Sequence, residues 1–190
     1  MAKNYGLGDH KAQEQQHTLP HPYQFEIEKF DDSVEDIADS FKKVEPQKYK
    51  PKEDTPFLYV ETEEQLAELK THLEAHSEIA IDLEAHTMRS YNGLTCLMQI
   101  STRERDFIVD TLKLRSKLGP ALLHIFDDPD KVKVLHGADM DIQWLQRDFG
   151  LYIVNMFDTG QAARVLQLKS AGLAFLLQSY CGVIADKKYQ

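Results

Sequence analysis

The chain has 190 residues, of which 31 are acidic and 22 basic, so its formal charge is −9 and its isoelectric point is about 5.3. A chain of this length with 42% hydrophobic residues can bury one core, which excludes a protein of several large domains. The acidic balance argues against a general basic coat for nucleic acid, so we expect any nucleic acid to be bound locally.

The targeting and cysteine patterns indicate an intracellular protein. No apolar stretch approaches the roughly 18 residues that a membrane span requires, and residues 1–17 lack the apolar core of a signal peptide. Cys96 and Cys181 are too few for a disulfide framework and lack the paired spacing of a zinc site. We therefore expect a soluble protein in a reducing compartment.

Residues 1–54 predict an extended leader or linker. This segment is polar, with prolines and alternating charges, a composition that builds little regular core. Residues 21–27 alternate aromatic or aliphatic side chains with polar ones, a pattern suited to lying across a folded domain, and plain disorder is the alternative. The folded domain is expected to cover residues 55–190.

Hydrophobic periodicity from residue 57 onward predicts an α/β domain. The expected strands cover residues 57–60, 78–84, 95–101, 106–111, 132–136 and 152–157. The expected helices cover residues 62–75, 118–126, 139–149, 160–168 and 172–180. The polar turn at residues 102–105 suits an antiparallel hairpin, whereas the later strands alternate with helices. The sequence therefore predicts a mixed sheet of three antiparallel plus two parallel strands, flanked by helices.

Two carboxylates stand out on one strand. Asp82 and Glu84 are two residues apart, so they point to the same face while Leu83 points to the core. Carboxylates this close repel each other unless cations lie between them, and Mg²⁺ and Mn²⁺ prefer oxygen ligands. The pair indicates a metal site, and two solvated acids at a strand end are the alternative.

The helix that follows residue 138 carries a third acid and an aromatic ring. Asp139 occupies the expected N-cap position, whereas Asp141 lies inside the first turn, near a sheet end. Trp144 follows Asp141 by three residues and shares its helical face, where its ring either stacks on a base or packs in the core. Asp158, at a later strand end, is interpreted as a helix cap.

Further polar side chains near these acids are candidates for the site. His86, Arg89 and Tyr91 lie in the polar segment after the paired acids and are candidates for contacting phosphate or sugar, with ordinary solvation as the alternative. His136 precedes a Gly-Ala pair at a strand end and is expected to point toward the same cleft, with a structural histidine as the alternative.

Three segments together resemble one enzyme family. Residues 79–84 (Ile-Ala-Ile-Asp-Leu-Glu), 93–102 and 134–150 resemble the RNase D-type branch of the DEDD exonucleases, most closely the exosome component ten family of nuclear exoribonucleases. The resemblance runs from about residue 20 to the last residue. It implies an RNase H-like fold that hydrolyses RNA from its 3′ end to nucleoside 5′-monophosphates, with two divalent metal ions, Mg²⁺ or Mn²⁺.

The resemblance also implies roles for single residues and partners for the protein. Asp82 and Glu84 match the family's first motif, and Asp141 matches its second. The positions beside the terminal nucleotide match His136, Met140 and Trp144. The implied partners are the 3′ ends of single-stranded RNA and the nuclear exosome with its cofactors, in the nucleus and its nucleolus.

The family's third motif, Tyr-x-x-x-Asp, follows the second motif in the chain, and no match to it occurs between Asp141 and residue 190. We therefore expect the chain to lack a fourth carboxylate and the helix that carries it, with weaker metal binding and exposed apolar surface on the sheet. Two interpretations stay open: part of an active exoribonuclease, or a catalytically impaired module that binds RNA ends or exosome partners. A DNA exonuclease is disfavoured because residues 93–102 and 137–146 resemble the RNA branch.

Overall fold

The protein, described here from a computed structural model, is built on one sheet of six strands in the order β1-β4-β3-β2-β5-β6, and residues 20–41, 45–88 and 90–186 are described. The strands are β1 Phe57–Val60, β2 Glu78–His86, β3 Leu94–Ser101, β4 Asp106–Asp110, β5 Val132–Leu135 and β6 Met156–Asp158. The helices are α1 Gln24–Phe41, α2 Glu63–Glu74, α3 Arg115–Phe126, α4 Asp139–Trp144, α5 Thr159–Val165 and α6 Leu173–Leu176. None of the described helices is both long and apolar enough to span a membrane.

The sheet has the predicted mixed topology. Strands β2, β3 and β4 form an antiparallel meander, and β5 and β6 continue from β2 in parallel. The predicted strand at residues 57–60 is present as β1 and adds a sixth, edge strand parallel to β4. Strand β6 is shorter than the predicted 152–157 because Asn155, just before it, has a left-handed backbone with φ of 56°.

One face of the sheet is covered by α2 and α3. Along β2 the buried residues alternate, and Ile79, Ile81 and Leu83 join the core that the leucines of α2 complete. Helix α2 begins at the predicted capping box: Thr62 accepts a hydrogen bond from the Gln65 backbone N–H, and the Gln65 side chain accepts one from the Thr62 backbone. The capping box therefore sets the start of α2, and the alternating burial along β2 sets which of its side chains face the core.

Helix α4 continues into a π-helical turn, Leu145–Phe149, which is held tightly against α3. A Cβ atom on Gly119 of α3 would lie 2.3 Å from the backbone oxygen of Phe149, so only a hydrogen fits there. The turn ends at Gly150, the predicted stop, whose φ of 67° is readily adopted by glycine. This close approach fixes the end of the α4 segment relative to the covered face.

Strand β5 buries a charged residue that the sequence pattern did not reveal. Lys133 lies on the covered face with 0% of its surface exposed, and its Nζ donates to the backbone oxygens of Asp128 and Lys131, each at 2.6 Å. Burial lowers the pKa of Lys133 from 10.5 to about 7. The carbonyl oxygens satisfy the amine but do not neutralise its charge.

The expectation of an extended leader is wrong for residues 24–41, which form helix α1. The sequence signal was present, because Ile27, Phe30 and Val34 recur at helical spacing, whereas the shorter alternation over residues 21–27 suggested an extended chain. The segment contacts the domain through Tyr23, which stacks on Tyr152 with ring centroids 4.6 Å apart. Residues 1–19 and 42–44 of the predicted leader lie outside the described residues, as does the candidate Arg89.

The opposite face of the sheet carries exposed apolar side chains, as the sequence analysis expected. Those of the strands and of the adjoining α6 are 38–58% exposed: Phe57, Tyr59, Phe157 and Leu173. The register places Phe57, Tyr59 and Phe157 on the face that also carries Asp82. Asp82 pairs with Gln99, Gln99 with Ile108 and Ile108 with Tyr59, while Ala80 pairs with Val134 and Val134 with Phe157. Leu173 and Asp82 line one cleft on this face. The candidate acids therefore lie on the less covered side of the sheet.

Candidate active site

The strand β2 presents Asp82 and Glu84 on the same face, as predicted. Leu83, between them, is 6% exposed and belongs to the core on the other face. Both acids lie on the part of β2 that pairs with β3, where Asp82 is opposite Gln99 and Glu84 is opposite Leu97, while β5 pairs with the beginning of β2, up to Ala80. A register shift follows directly after Glu84, between it and Ala85.

The helix α4 brings Asp141 to the same region. Asp141 lies in the first turn of α4 and is 9% exposed, although it is an acid. The expectation that Asp139 caps this helix is wrong, because the cap position is Ala138 and no side chain caps it from within the segment. Asp139 is exposed and is the first residue of the helix proper.

The carboxyl groups of Asp82 and Asp141 are electrostatically coupled. Burial raises the pKa of Asp141 first, and the negative charge of Asp82 raises it further. Burial also raises the pKa of Asp82, although the residue lies on the open face, while the backbone N–H of Leu83 and the nearby His136 partly offset this shift. The Leu83 N–H acts on both carboxyl groups, which places both beside the same point of β2.

Asp158, the last residue of β6, holds the start of α4 in place. Its Oδ1 and Oδ2 accept hydrogen bonds from the backbone N–H groups of Gly137 and Ala138 at 3.0 and 2.9 Å. Its Oδ1 also accepts from Gly160 and Gln161 and so caps α5, as predicted. Burial opposes the charge of Asp158, but these four N–H donors lower its pKa overall. The sequence predicts the cap of α5 but does not reveal the link to α4.

A cleft of about 310 Å³ lies next to Asp82 on the open face. It is lined by Asp82 and His136 together with Gln99 of β3, Thr159 of α5 and Leu173 of α6. The Nδ1 of His136 lies 2.9 Å from the Thr159 hydroxyl oxygen, which also donates to the Leu135 backbone oxygen and so orients the ring. The structure therefore places His136 in the cleft that contains Asp82.

A second, wider cavity of about 680 Å³ lies along the side of α4. Met140 and Trp144 line it, and Met140 is 48% exposed while Trp144 is half-buried against the core. The opposite wall is the loop between β2 and β3, which contributes Tyr91 and Asn92. We refer to this space as the outer cavity and to the Asp82 cleft as the inner cleft.

The remaining two candidates stand apart from both spaces. Glu84 is exposed on the Asp82 face, and His86 is half-buried at the end of β2 beyond the register shift. Within the described ranges, no group of three or more His, Cys, Asp or Glu side chains is arranged to hold a metal ion. Asp82 and Asp141 nevertheless fit a hard divalent cation, because the charge of Asp82 acts on the nearly buried Asp141, and a cation between the two oxygen donors would offset that repulsion.

Comparison with known proteins identifies what the chain is similar to. Residues 57–190 match the family model described as 3′-5′ exonuclease. The chain is 56% identical to Protein RRP6-like 2 of Arabidopsis thaliana over 165 residues, or 86% of this chain and 19% of that protein. It is 51% identical to human Exosome complex component 10 over 180 residues, or 94% of this chain and 20% of that protein.

The fold is similar to that of a solved structure as well. The catalytic core of RRP6 from Trypanosoma brucei superposes with a TM-score of 0.75 at 44% identity, covering 84% of this chain and 45% of that one. This confirms the predicted RNase H-like mixed sheet flanked by helices. The chain spans about a fifth of the length of the curated relatives named above.

Proposed function

Because the chain belongs to the 3′-5′ exonuclease family, we propose that its folded domain hydrolyses RNA from the 3′ end and releases nucleoside 5′-monophosphates. We propose that residues 55–190 carry this exonuclease domain, which the family model matches from residue 57 onward, and that residues 1–54 are a leader that includes helix α1. The reaction adds water across the last phosphodiester bond: the water oxygen bonds to phosphorus, and the 3′ oxygen of the preceding nucleotide leaves with a proton.

The observation that supports this proposal most directly is the coupling of Asp82 and Asp141. They come from a central strand and from the first turn of a helix, 59 positions apart in the sequence, yet each lies where burial raises its pKa and the charge of Asp82 acts on Asp141. Uncompensated carboxylates of this kind are costly and cluster at functional sites. Asp82, Asp141 and the neighbouring Glu84 are the proposed catalytic acids.

The same acids are the proposed ligands of divalent metal, Mg²⁺ or Mn²⁺. Exonucleases of the DEDD type are generally dependent on divalent metals. When bound, such ions activate the attacking water and stabilise the charge on the leaving oxygen. Asp82 and Asp141 would hold the ions at the mouth of the inner cleft, and Glu84 would join them from the same face of β2.

Four further residues are proposed to contact the substrate. His136 faces the inner cleft and is oriented by Thr159, so its ring can donate to a phosphate or sugar oxygen. Met140 and Trp144 offer apolar surface for a base along α4. His86 stays a proposed contact on the strength of its place after the paired acids, at the end of β2.

Degradation of a 5′-labelled single-stranded RNA tests the proposal. With Mg²⁺ or Mn²⁺ present, the chain should shorten the RNA stepwise from its 3′ end, and Asp82→Ala and Asp141→Ala should each abolish this. Glu104→Ala, which removes an exposed acid in the β3–β4 turn, is the matched control and should keep full activity. Shortening that survives loss of both acids contradicts the assignment.

A second candidate function is a module that binds RNA ends or protein partners without hydrolysing RNA. The observation that favours it is the lack, within the described ranges, of a group of three acids or histidines arranged to hold a metal ion. In the same assay this module would bind the RNA without shortening it.

Because relatives of the chain carry the name of exosome components, we also propose association with the exosome and its cofactors, in the nucleus and nucleolus.

A further inference from the structure

We infer that the outer cavity is a second base-binding site, which receives the unpaired base of the nucleotide next to the 3′-terminal one and stacks it on Tyr91. This inference rests on the proposed function and extends it by assigning a place to the RNA upstream of the bond that breaks. Neither Tyr91 nor the loop that carries it has a role in the catalytic site proposed above.

The position of the outer cavity relative to the acids is the first argument. A scissile phosphodiester joins two nucleosides, so an acid pair that acts on it needs room for a nucleotide on either side. The inner cleft borders Asp82, and the outer cavity borders α4 through Met140 and Trp144. Trp144 follows Asp141 by three residues, about 4.5 Å along the helix axis, a separation of the same order as that of neighbouring nucleotides in an extended strand.

The chemistry of the walls is the second argument. Among the described residues that line the outer cavity there is no carboxylate, although 31 of the 190 residues are acidic, and Arg147 is the only charged one among them. Aromatic rings stand on both walls, Tyr91 on the loop and Trp144 on the helix. Side-chain amides of Gln143 and Gln146 supply donors and acceptors beside them. Aromatic faces with adaptable polar groups suit an unstacked base.

Hydrogen bonds hold the two walls of the outer cavity in place. Arg147 donates to the backbone oxygen of Asn92 and so ties the loop wall to the helix wall. Asp148, next in sequence, accepts hydrogen bonds from Arg147 and from the backbone N–H and hydroxyl of Thr95, the latter at 2.7 Å. With the walls fixed in this way, Tyr91 is fully exposed on the rim of the cavity. Such a ring contributes nothing to the core and is free to stack on a ligand.

Binding of 5′-fluorescein-labelled oligoadenylate, measured by anisotropy with metal ions chelated so that the RNA stays intact, tests this inference. Three proteins are compared: the unaltered chain, Tyr91→Ala and Tyr91→Phe. Each is measured with three RNAs, one intact, one abasic at the penultimate nucleotide and one abasic at the terminal nucleotide. Tyr91→Ala and the penultimate abasic site should each weaken binding about 5- to 100-fold. Combined, they should cost no more than either alone, because they remove the same contact. Tyr91→Phe should bind like the unaltered chain.

The outcomes separate this inference from the proposed function. The second base site is wrong, while the exonuclease proposal stands, if Tyr91→Ala does not weaken RNA binding. The same holds if the affinity losses from Tyr91→Ala and from the penultimate abasic site multiply when they are combined. Coupling of Tyr91 to the terminal nucleotide instead of the penultimate one overturns the assigned position. If the unaltered chain binds no RNA under these metal-free conditions, the second base site is wrong, while the exonuclease proposal is decided separately by the RNA-shortening assay with Mg²⁺ or Mn²⁺. Because Tyr91 is fully exposed, none of these results can arise from loss of the fold.

Discussion

Removal of the Asp158 carboxylate should destabilise the chain, because this side chain caps one helix and holds the start of another. Its Oδ1 accepts from Gly137, Gly160 and Gln161 at 2.7–3.0 Å, and its Oδ2 accepts from Ala138 at 2.9 Å. Loss of one such cap typically costs about 1 kcal/mol. Asp158→Ala also leaves the N–H groups before α4 without their acceptor, so we expect it to lower the free energy of unfolding by about 2–3 kcal/mol.

Asp158→Asn is the matched variant, because its side-chain oxygen can replace Oδ1 and keep three of the four hydrogen bonds. It loses the bond to Ala138 and the charge near two helix starts, so we expect a cost of about 1 kcal/mol. Because the N–H donors lower the pKa of Asp158 in the folded chain, its stabilising effect is present above about pH 4 and disappears as the pH falls through the folded pKa.

Urea unfolding measures these differences. Trp144, the only tryptophan, lies in α4, so its fluorescence reports the element that Asp158 holds, and far-UV circular dichroism reports the whole chain. Asp130→Ala, which removes an exposed carboxylate that pairs with Lys29, is the control and should change stability little. An Asp158→Ala variant within about 0.5 kcal/mol of the unaltered chain would refute the reasoning.

Three further predictions concern stability. Gly119→Ala should lower the free energy of unfolding by about 1–3 kcal/mol, although alanine has the better helix propensity, because the alanine Cβ would lie 2.3 Å from the Phe149 backbone oxygen. An unchanged urea midpoint would contradict this close packing. Asp148→Asn should cost at least about 2 kcal/mol at pH 7 and less at low pH, because burial of this carboxylate is outweighed by arginine and threonine donors that lower its pKa. Because the pKa of Lys133 is about 7 in the folded chain and 10.5 in the unfolded chain, the free energy of unfolding should increase by at most about 5 kcal/mol as the pH rises from 7 toward 10.5. Unfolding measurements across this pH range should show a smaller increase for Lys133→Met. An equal increase in both proteins would show that other groups cause it.

The acids of the candidate site could be predicted because short-range rules place them. Two residues apart on a strand is enough to put Asp82 and Glu84 on one face, and a first-turn position is enough to bring Asp141 to a sheet end. Helix α1 could also have been found, since Ile27 and Phe30 have the helical spacing that a longer window would have detected.

The features that the sequence did not reveal depend on contacts between distant segments. Lys133 reads as a surface residue of an alternating strand, and only the pairing of β5 beside β2 puts it on the covered face. The outer cavity exists because Arg147 reaches Asn92 across 55 positions, and no local pattern encodes that contact. Asp158 looked like an ordinary cap because its two extra donors precede it by about twenty residues.

The two coupled acids are held by independent parts of the fold, and this explains how their repulsion is tolerated. Asp82 lies on β2, where it pairs with Gln99 of β3, whereas Asp141 lies in the first turn of α4, whose start is held by Asp158. Because the two backbone positions are fixed separately, the folded chain keeps the two carboxylates near each other although the charge of Asp82 raises the pKa of Asp141. We expect a divalent cation bound between them, as proposed above, to offset that repulsion.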